Sequence, residues 1–285
     1  MAQQAIAPPD VTASSIFVLN AETGQPFYAK NENEVFWILS LTKLVTAYVL
    51  VNKMGDRLSE NVTINWPHLV RGSTAGLKRR DVWTLQDLLY GMVLVSGNDA
   101  SVAIADYTGR ALLAEENKHG DSIQRFVEEM RSTAKALGAT RANFADPYGL
   151  SPANVATARD VGLIAANVFT DPRLLPAWAC TERTVEIGGL KARTVTLKTT
   201  IDILGEEGVI GAKTGSHVSK NIYNLVTAWR APNGQTIVGV VLGSASHPAR
   251  YDDMHAIMAA LPHDFPELAE PATGAVSNAG GTSCH

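Results

Sequence analysis

A serine and a lysine three positions apart, Ser40-Leu-Thr-Lys43, are the first residues in this chain whose types and spacing could do covalent chemistry. A serine hydroxyl is a weak nucleophile at its free pKa and needs a base within hydrogen-bond reach. Residues three apart on a helix share a face, so Lys43 can point back at Ser40. For Lys43 to accept a proton near neutral pH, its ammonium form must be disfavoured by burial and by a second cation nearby. Lys213, in Lys213-Thr214-Gly215, is a suitable cation, and between the two lysines lies a third short polar element, Ser96-Gly97-Asn98. A nucleophile at a helix start also gains exposed backbone N–H groups where an oxyanion develops.

Short patterns recur by chance, and this chain supplies two such recurrences. Ser132-Thr-Ala-Lys135 repeats the serine–lysine spacing inside the charged run that starts at Glu128, where solvated surface is the better reading. Ser219-Lys-Asn221 repeats the serine–asparagine spacing but follows Lys213-Thr-Gly215 instead of preceding it. Order and context therefore single out the first set: a helix start, an inter-helix loop and a strand.

The elements that must position these residues can be read from periodicity. Ser15 to Leu19 and Gln25 to Ala29, separated by Asn20-Ala-Glu-Thr-Gly24, read as a hairpin. From Leu41 to Val51 the apolar residues Leu41, Leu44, Val45, Tyr48 and Val49 recur at helical spacing, with Gly55 where a helix would stop. Three further helix starts are marked by an N-cap residue and an acid or amide three positions on: Thr84 with Asp87, Asp121 with Gln124, and Thr157 with Asp160. Behind Asp121, Ile123, Phe126, Val127, Met130 and Leu137 form one stripe ended by Gly138. Ser96-Gly-Asn98 falls where the helix of Leu85 to Val95 breaks, with Asp99 placed to cap the next one.

After Pro176 the texture becomes β-branched alternation at Arg183 to Ile187, Lys191 to Lys198, Val209 to Ala212, Tyr223 to Trp229 and Thr236 to Leu242. Lys213-Thr-Gly215 ends the third of these, where a glycine would let a substrate backbone come close. An amphipathic helix from Ala249 to Leu261 closes the ordered part, and an Ala/Gly/Ser-rich tail over residues 269–285 is expected to lack fixed structure. The expected fold class is α/β (α+β): an antiparallel sheet to which both ends of the chain contribute, flanked by helices. One domain over residues 1–268 carries an inserted all-helical subdomain at about residues 60–180, with the active site in the cleft between the two.

Composition excludes several functions. A formal net charge of −4 argues against a nucleic-acid partner. The seven histidines show no metal-ligand spacing, so neither metal nor cofactor is expected. No stretch is long and apolar enough to span a bilayer, and Met1-Ala-Gln-Gln-Ala lacks the regions of a signal peptide. Cys180 and Cys284 are too few to form a disulfide framework, and their redox state stays open.

The three motifs in this order resemble the low-molecular-mass penicillin-binding proteins, the serine D-Ala-D-Ala carboxypeptidases of the β-lactamase/transpeptidase-like superfamily. The resemblance covers about Ser15 to Leu261. It extends to Gly91-Met-Val-Leu-Val-Ser-Gly-Asn-Asp-Ala-Ser101, Phe144 to Leu150, Thr157-Ala-Arg-Asp160, Tyr223-Asn-Leu-Val226 and the Arg250 region. It implies that Ser40 attacks the carbonyl of the penultimate D-Ala and that Lys43 is the acylation base. By the same resemblance Ser96 and Asn98 relay protons and hold the substrate amide, while Lys213, Thr214 and Arg250 face the terminal carboxylate. The backbone N–H groups of Ser40 and Ser216 would form the oxyanion hole. Implied partners are peptidoglycan stem peptides and, as covalent inhibitors, β-lactams, in a periplasmic or secreted setting.

The chain departs from the family pattern in three places. Trp37-Ile-Leu precedes Ser40 where a Pro-Ala step is usual, Tyr148 stands where a His is common, and one extra residue follows Ser216-His217. A β-rich second domain and a basic amphipathic anchor are not evident. Two alternatives stay open: a class A-like β-lactamase, which would need a Glu-x-x-Leu-Asn element, and a penicillin sensor that stays acylated. The nearest approximation to that element is Asp160-Val-Gly-Leu163, better explained as helix capping with Thr157.

Overall fold

The computed structural model describes residues 9–206, 208–261 and 284. The expectation of a tail without fixed structure over 269–285 lies outside the described residues, apart from Cys284.

The frame is a five-stranded antiparallel sheet built from the two ends of the chain. The N-terminal hairpin, β1 (Ser15–Asn20) and β2 (Pro26–Lys30), meets three late strands, β9 (Val209–His217), β10 (Ile222–Arg230) and β11 (Thr236–Leu242), in the order β2-β1-β11-β10-β9. Ser15 pairs with Leu242 and Asn20 with Ile237, so the chain's first strand lies against its last. Alternate residues of β1 enter two apolar clusters. Phe17 and Leu19 belong to one with Val161 and Ala165, whereas Ile16 and Val18 belong to another with Met254 and Ile257. Val161 and Ala165 lie on α5 (Ala158–Thr170) and Met254 and Ile257 on α7 (Ala249–Ala260). Burial on both faces is why these strands are near-continuous apolar runs.

Between β2 and β9 lies the inserted region. It holds α1 (Lys43–Met54), α2 (Leu85–Leu94), α3 (Asn98–Glu115), α4 (Ser122–Ala136), α5 and the short α6 (Leu175–Trp178). It also carries strands beyond the helical expectation. β3 (Val35–Trp37) pairs with β6 (Val155–Thr157), and β4 (Asn61–Thr63), β5 (Asp81–Thr84), β7 (Glu182–Gly189) and β8 (Arg193–Lys198) form a second sheet. The β-branched stretches at 183–198 thus extend this second sheet and not the main one.

The three helix starts form as their sequences require. Thr84, Asp121 and Thr157 each accept a hydrogen bond from the backbone N–H three residues on. Asp160 reciprocates to Thr157 N at 3.1 Å, closing a full capping box and accounting for that segment without a catalytic role. The expectation for Asp99 is corrected: Gly97 is the N-cap of α3. Asp99 is the second residue of the helix, and its carboxylate accepts from Thr74 Oγ1, Ala75 N and Leu77 N at 2.5, 2.8 and 3.1 Å. It fastens the 74–77 loop over the start of α3.

Candidate active site

Ser40 sits in a single 3₁₀ turn, Leu39–Thr42, that leads from β3 into α1, so the helix proper begins at Lys43, later than the apolar spacing indicates. Leu39 has φ +53, a left-handed conformation that costs a branched side chain energy and persists only where the surroundings enforce it. Two neighbours do so. Gly149 (φ +99) leaves no room for a β-carbon, which would lie 1.9 Å from Leu39 O, and Trp37 Nε1 donates to Gly149 O at 3.0 Å. Behind the turn, Asn154 Nδ2 donates to Thr42 Oγ1 at 3.1 Å.

Lys43 is fully buried and points back at Ser40, with Nζ 3.0 Å from Ser40 Oγ. Its other partners are Asn98 Oδ1 and the Tyr148 carbonyl, each at 2.9 Å. Burial first, and the charge of Lys213 second, hold its pKa well below the ordinary lysine value; the Asp146 and Asp99 charges oppose this weakly. Lys213 is also fully buried. Burial, with Arg250 adding to it, lowers its pKa to about 7, and its Nζ donates to Thr214 O at 3.0 Å.

Ser96 lies between α2 and α3 at φ +56, a second non-glycine residue in the left-handed region. Both ends of the Asn98 amide are engaged within the protein: Oδ1 accepts from Lys43, and Nδ2 donates to Arg71 O at 3.0 Å. Asn98 is thus in direct contact with Lys43, and its amide keeps a second hydrogen and a second lone pair for another partner.

Lys213, Thr214, Gly215 and Ser216 lie in the middle of β9, which runs on to His217 instead of ending at the motif. β9 is the edge strand of the main sheet, paired on one side with β10 through Lys213 opposite Val226 and Gly215 opposite Asn224. Gly215 has a second use inside the protein. A β-carbon there would meet Ile38 O at 2.5 Å and Leu39 Cβ at 3.3 Å, so the glycine lets the turn that carries Ser40 pack against the strand.

Arg250, on the first turn of α7, is buried. Its Nη1 donates to Ser216 Oγ at 2.5 Å, its Nη2 to the Tyr251 hydroxyl at 3.2 Å, and its Nε has no partner among the described residues. Ser40, Lys43, Asn98 and Tyr148 are thus joined by hydrogen bonds, and Lys213, Ser216 and Arg250 form the facing cluster. The decoys stay apart: Ser132 and Lys135 are exposed on α4, and Ser219 and Asn221 are exposed beyond β9.

Two contributors were not anticipated. The Tyr148 carbonyl is a backbone group and leaves no trace in residue type. Asp146 shapes the turn that presents it, accepting from Tyr148 N at 2.9 Å and Ser151 N at 2.6 Å. The signal for that turn was present as Asp146-Pro-Tyr-Gly149. Trp37 and His217, both at departures from the family pattern, meet with ring centroids 5.1 Å apart at the rim. Among the described residues no three His, Cys, Asp or Glu side chains converge on a metal position, and no helix is long and apolar enough to cross a membrane.

A family model described as D-alanyl-D-alanine carboxypeptidase matches residues 2–246. A D-alanyl-D-alanine carboxypeptidase of Streptomyces sp. (strain K15) is 31% identical over 264 residues, covering 89% of this chain and 88% of that one. DacC of Escherichia coli is 27% identical over 268 residues; the match takes in 90% of this chain but only 63% of DacC. The crystal structure of the Streptomyces K15 DD-transpeptidase superposes with a TM-score of 0.80 at 30% identity, covering 90% of this chain and 98% of that one.

Proposed function

Because this chain belongs to the D-alanyl-D-alanine carboxypeptidase family and is a serine-type carboxypeptidase, we propose that Ser40 is its nucleophile and Lys43 the base that activates it. One observation carries the assignment. Lys43 Nζ lies 3.0 Å from Ser40 Oγ while burial and Lys213 disfavour its charged form. The Ser40 hydroxyl proton passes to Lys43 as Oγ bonds to the carbonyl carbon of the penultimate D-Ala. The C–N bond then breaks, and the terminal D-Ala leaves as its nitrogen gains a proton relayed through Ser96. Water hydrolyses the Ser40 ester, with Lys43 again taking the proton.

The substrate is a peptidoglycan stem peptide lying extended along the outer edge of β9, whose other edge is already paired. The backbone N–H groups of Ser40 and Ser216 hold the oxyanion. Thr214, Ser216, Lys213 and Arg250 receive the terminal carboxylate. Arg250 donates to Ser216 Oγ and so leaves that hydroxyl's own proton to point elsewhere, and the buried, unpartnered Nε adds an unsatisfied positive donor to the cluster. Asn98 orients Lys43 through Oδ1 and, with the second hydrogen of Nδ2, holds the substrate amide. β-Lactams acylate Ser40 because they offer the same carbonyl in a strained ring. Such a substrate sets the enzyme in the periplasm or outside the cell.

The test is release of D-Ala from a short peptide ending in D-Ala-D-Ala. Continuous release by the parent enzyme, abolished in folded Ser40→Ala, is the expected result. Unchanged release by Ser40→Ala would overturn the assignment.

A further inference from the structure

The catalytic reading makes no use of the chain's two cysteines, Cys180 and Cys284. They are far apart in sequence, yet both meet at one backbone carbonyl. Cys180 occupies the turn between α6 and β7 and is fully buried; its Sγ donates to Glu182 O at 3.3 Å. Cys284 N donates to the same Glu182 O at 3.1 Å. The Cys284 Sγ lies 3.8 Å from Pro176 O, and its side chain packs against the core cluster to which Cys180 belongs. Burial first, and the nearness of Cys284 second, hold the Cys180 thiol above the ordinary cysteine range.

We propose that Cys180 and Cys284 close into an intramolecular disulfide under oxidising conditions, fixing residue 284 to the turn between α6 and β7. The oxidant is a disulfide of the glutathione or dithiol class. The Cys284 thiolate attacks one of its sulfurs and releases one thiol, leaving a mixed disulfide on Cys284. Cys180 then loses its proton and displaces the second thiol. Two protein thiols and one oxidant disulfide thus become one protein disulfide and two small thiols, with protons and electrons balanced. Cys284 starts the exchange because it is the more accessible of the two, and Cys180 completes it because its sulfur is already adjacent.

The consequence reaches the proposed active site without touching it. The closed loop, on the order of 100 residues, encloses β7 to β11 and α7, and with them Lys213 to Ser216 and Arg250. Cross-linking a loop of that length restricts the unfolded chain far more than the folded one, so the oxidised form resists unfolding. Catalytic geometry is set by other contacts and stays as it is.

The full chain would be incubated with oxidised glutathione, quenched in acid with a maleimide, and compared with a sample kept in dithiothreitol. The oxidised sample should lose about two mass units, escape alkylation and link the tryptic peptides spanning 174–183 and 251–285. Its melting temperature should rise by roughly 5 to 15 °C and fall back on reduction. Cys284→Ser should show neither change while being acylated by penicillin at the parent rate, which separates failure of this proposal from failure of the catalytic one. Separate glutathione adducts on the two cysteines, dimers linked between chains, or an internal disulfide that leaves the melting temperature unchanged would each overturn it.

Discussion

Gly215 faces the Ile38 carbonyl so closely that a β-carbon added to it would lie 2.5 Å from that oxygen. The glycine therefore fixes how near β9 comes to the turn that carries Ser40. Gly215→Ala must push the two apart, and overpacking of this kind costs about 1 to 3 kcal/mol. If that strain falls on the acylation geometry, the rate drops roughly 10- to 100-fold, since each ~1.4 kcal/mol of barrier is tenfold. Stopped-flow acylation by a reporter penicillin, with circular dichroism to confirm folding, checks this. A folded variant acylated at the parent rate would show that the turn can move without consequence.

Much of this arrangement is legible in the sequence, and what is not has physical reasons. The caps at Thr84, Asp121 and Thr157 rest on local hydrogen bonds between residues three apart, so they survive without tertiary information. The Ser40–Lys43 contact is likewise local. The role of Gly215 is not, because its clash partner, Ile38, comes from a distant segment, and a glycine reads the same whether substrate or protein needs the space. Asp99 reads as a cap from its neighbours, but tertiary contact with the 74–77 loop claims its carboxylate. Arg250 enters the site only through the family resemblance, because nothing local announces its burial. The pairing of β7 and β8 with β4 and β5 is a choice among partners of similar composition, which alternation alone cannot make.

Ser40 should be the residue a β-lactam modifies. Penicillin opens its ring on the nucleophile and adds its whole mass, so intact mass spectrometry should show one adduct, and peptide mapping should place it on Ser40. Ser40→Ala should show none. An adduct on Ser132, exposed on α4, would transfer the assignment to the chance motif.

Lys43 should act as a neutral base. Lys43→Met keeps the buried stem and removes the amine, so it should remain folded and lose about 10²- to 10⁴-fold in acylation rate, the usual worth of general-base help. In the parent enzyme, acylation should fall as pH drops through the depressed pKa of Lys43, because the ammonium has no lone pair to offer. A folded Lys43→Met acylated within threefold of the parent at pH 8 would remove Lys43 from the mechanism.

Lys213 makes a separate prediction about stability. Its folded pKa is about 7, below the value of 10.5 expected of a lysine in the unfolded chain. Between those two values the unfolded state binds the extra proton, so raising the pH stabilises the folded state across that window. Below about pH 7 both states are protonated, and the cost of a buried ammonium is felt in full. The parent's melting temperature should therefore climb from pH 7 to pH 9 more steeply than that of Lys213→Met. Equal slopes would mean that Lys213 stays charged in the folded protein.

The final prediction separates a carboxypeptidase from a β-lactamase and from a sensor. All three acylate alike, so the difference lies in how fast water reaches the Ser40 ester. The one segment resembling a deacylating element, Asp160 to Leu163, has its acid committed to capping α5: Asp160 accepts from Thr157 N at 3.1 Å and Thr157 Oγ1 at 2.8 Å. That carboxylate is not available to activate water. With penicillin, the ring-opened leaving group stays tethered and keeps water away from the ester. With a D-Ala-D-Ala peptide, the terminal D-Ala departs, and water can take its place beside Lys43. Penicillin should therefore give a single burst and a long-lived adduct, while the peptide gives continuous D-Ala release. Rapid multiple-turnover hydrolysis of penicillin with negligible peptide cleavage would identify a β-lactamase. Stable acylation by both ligands would identify a sensor.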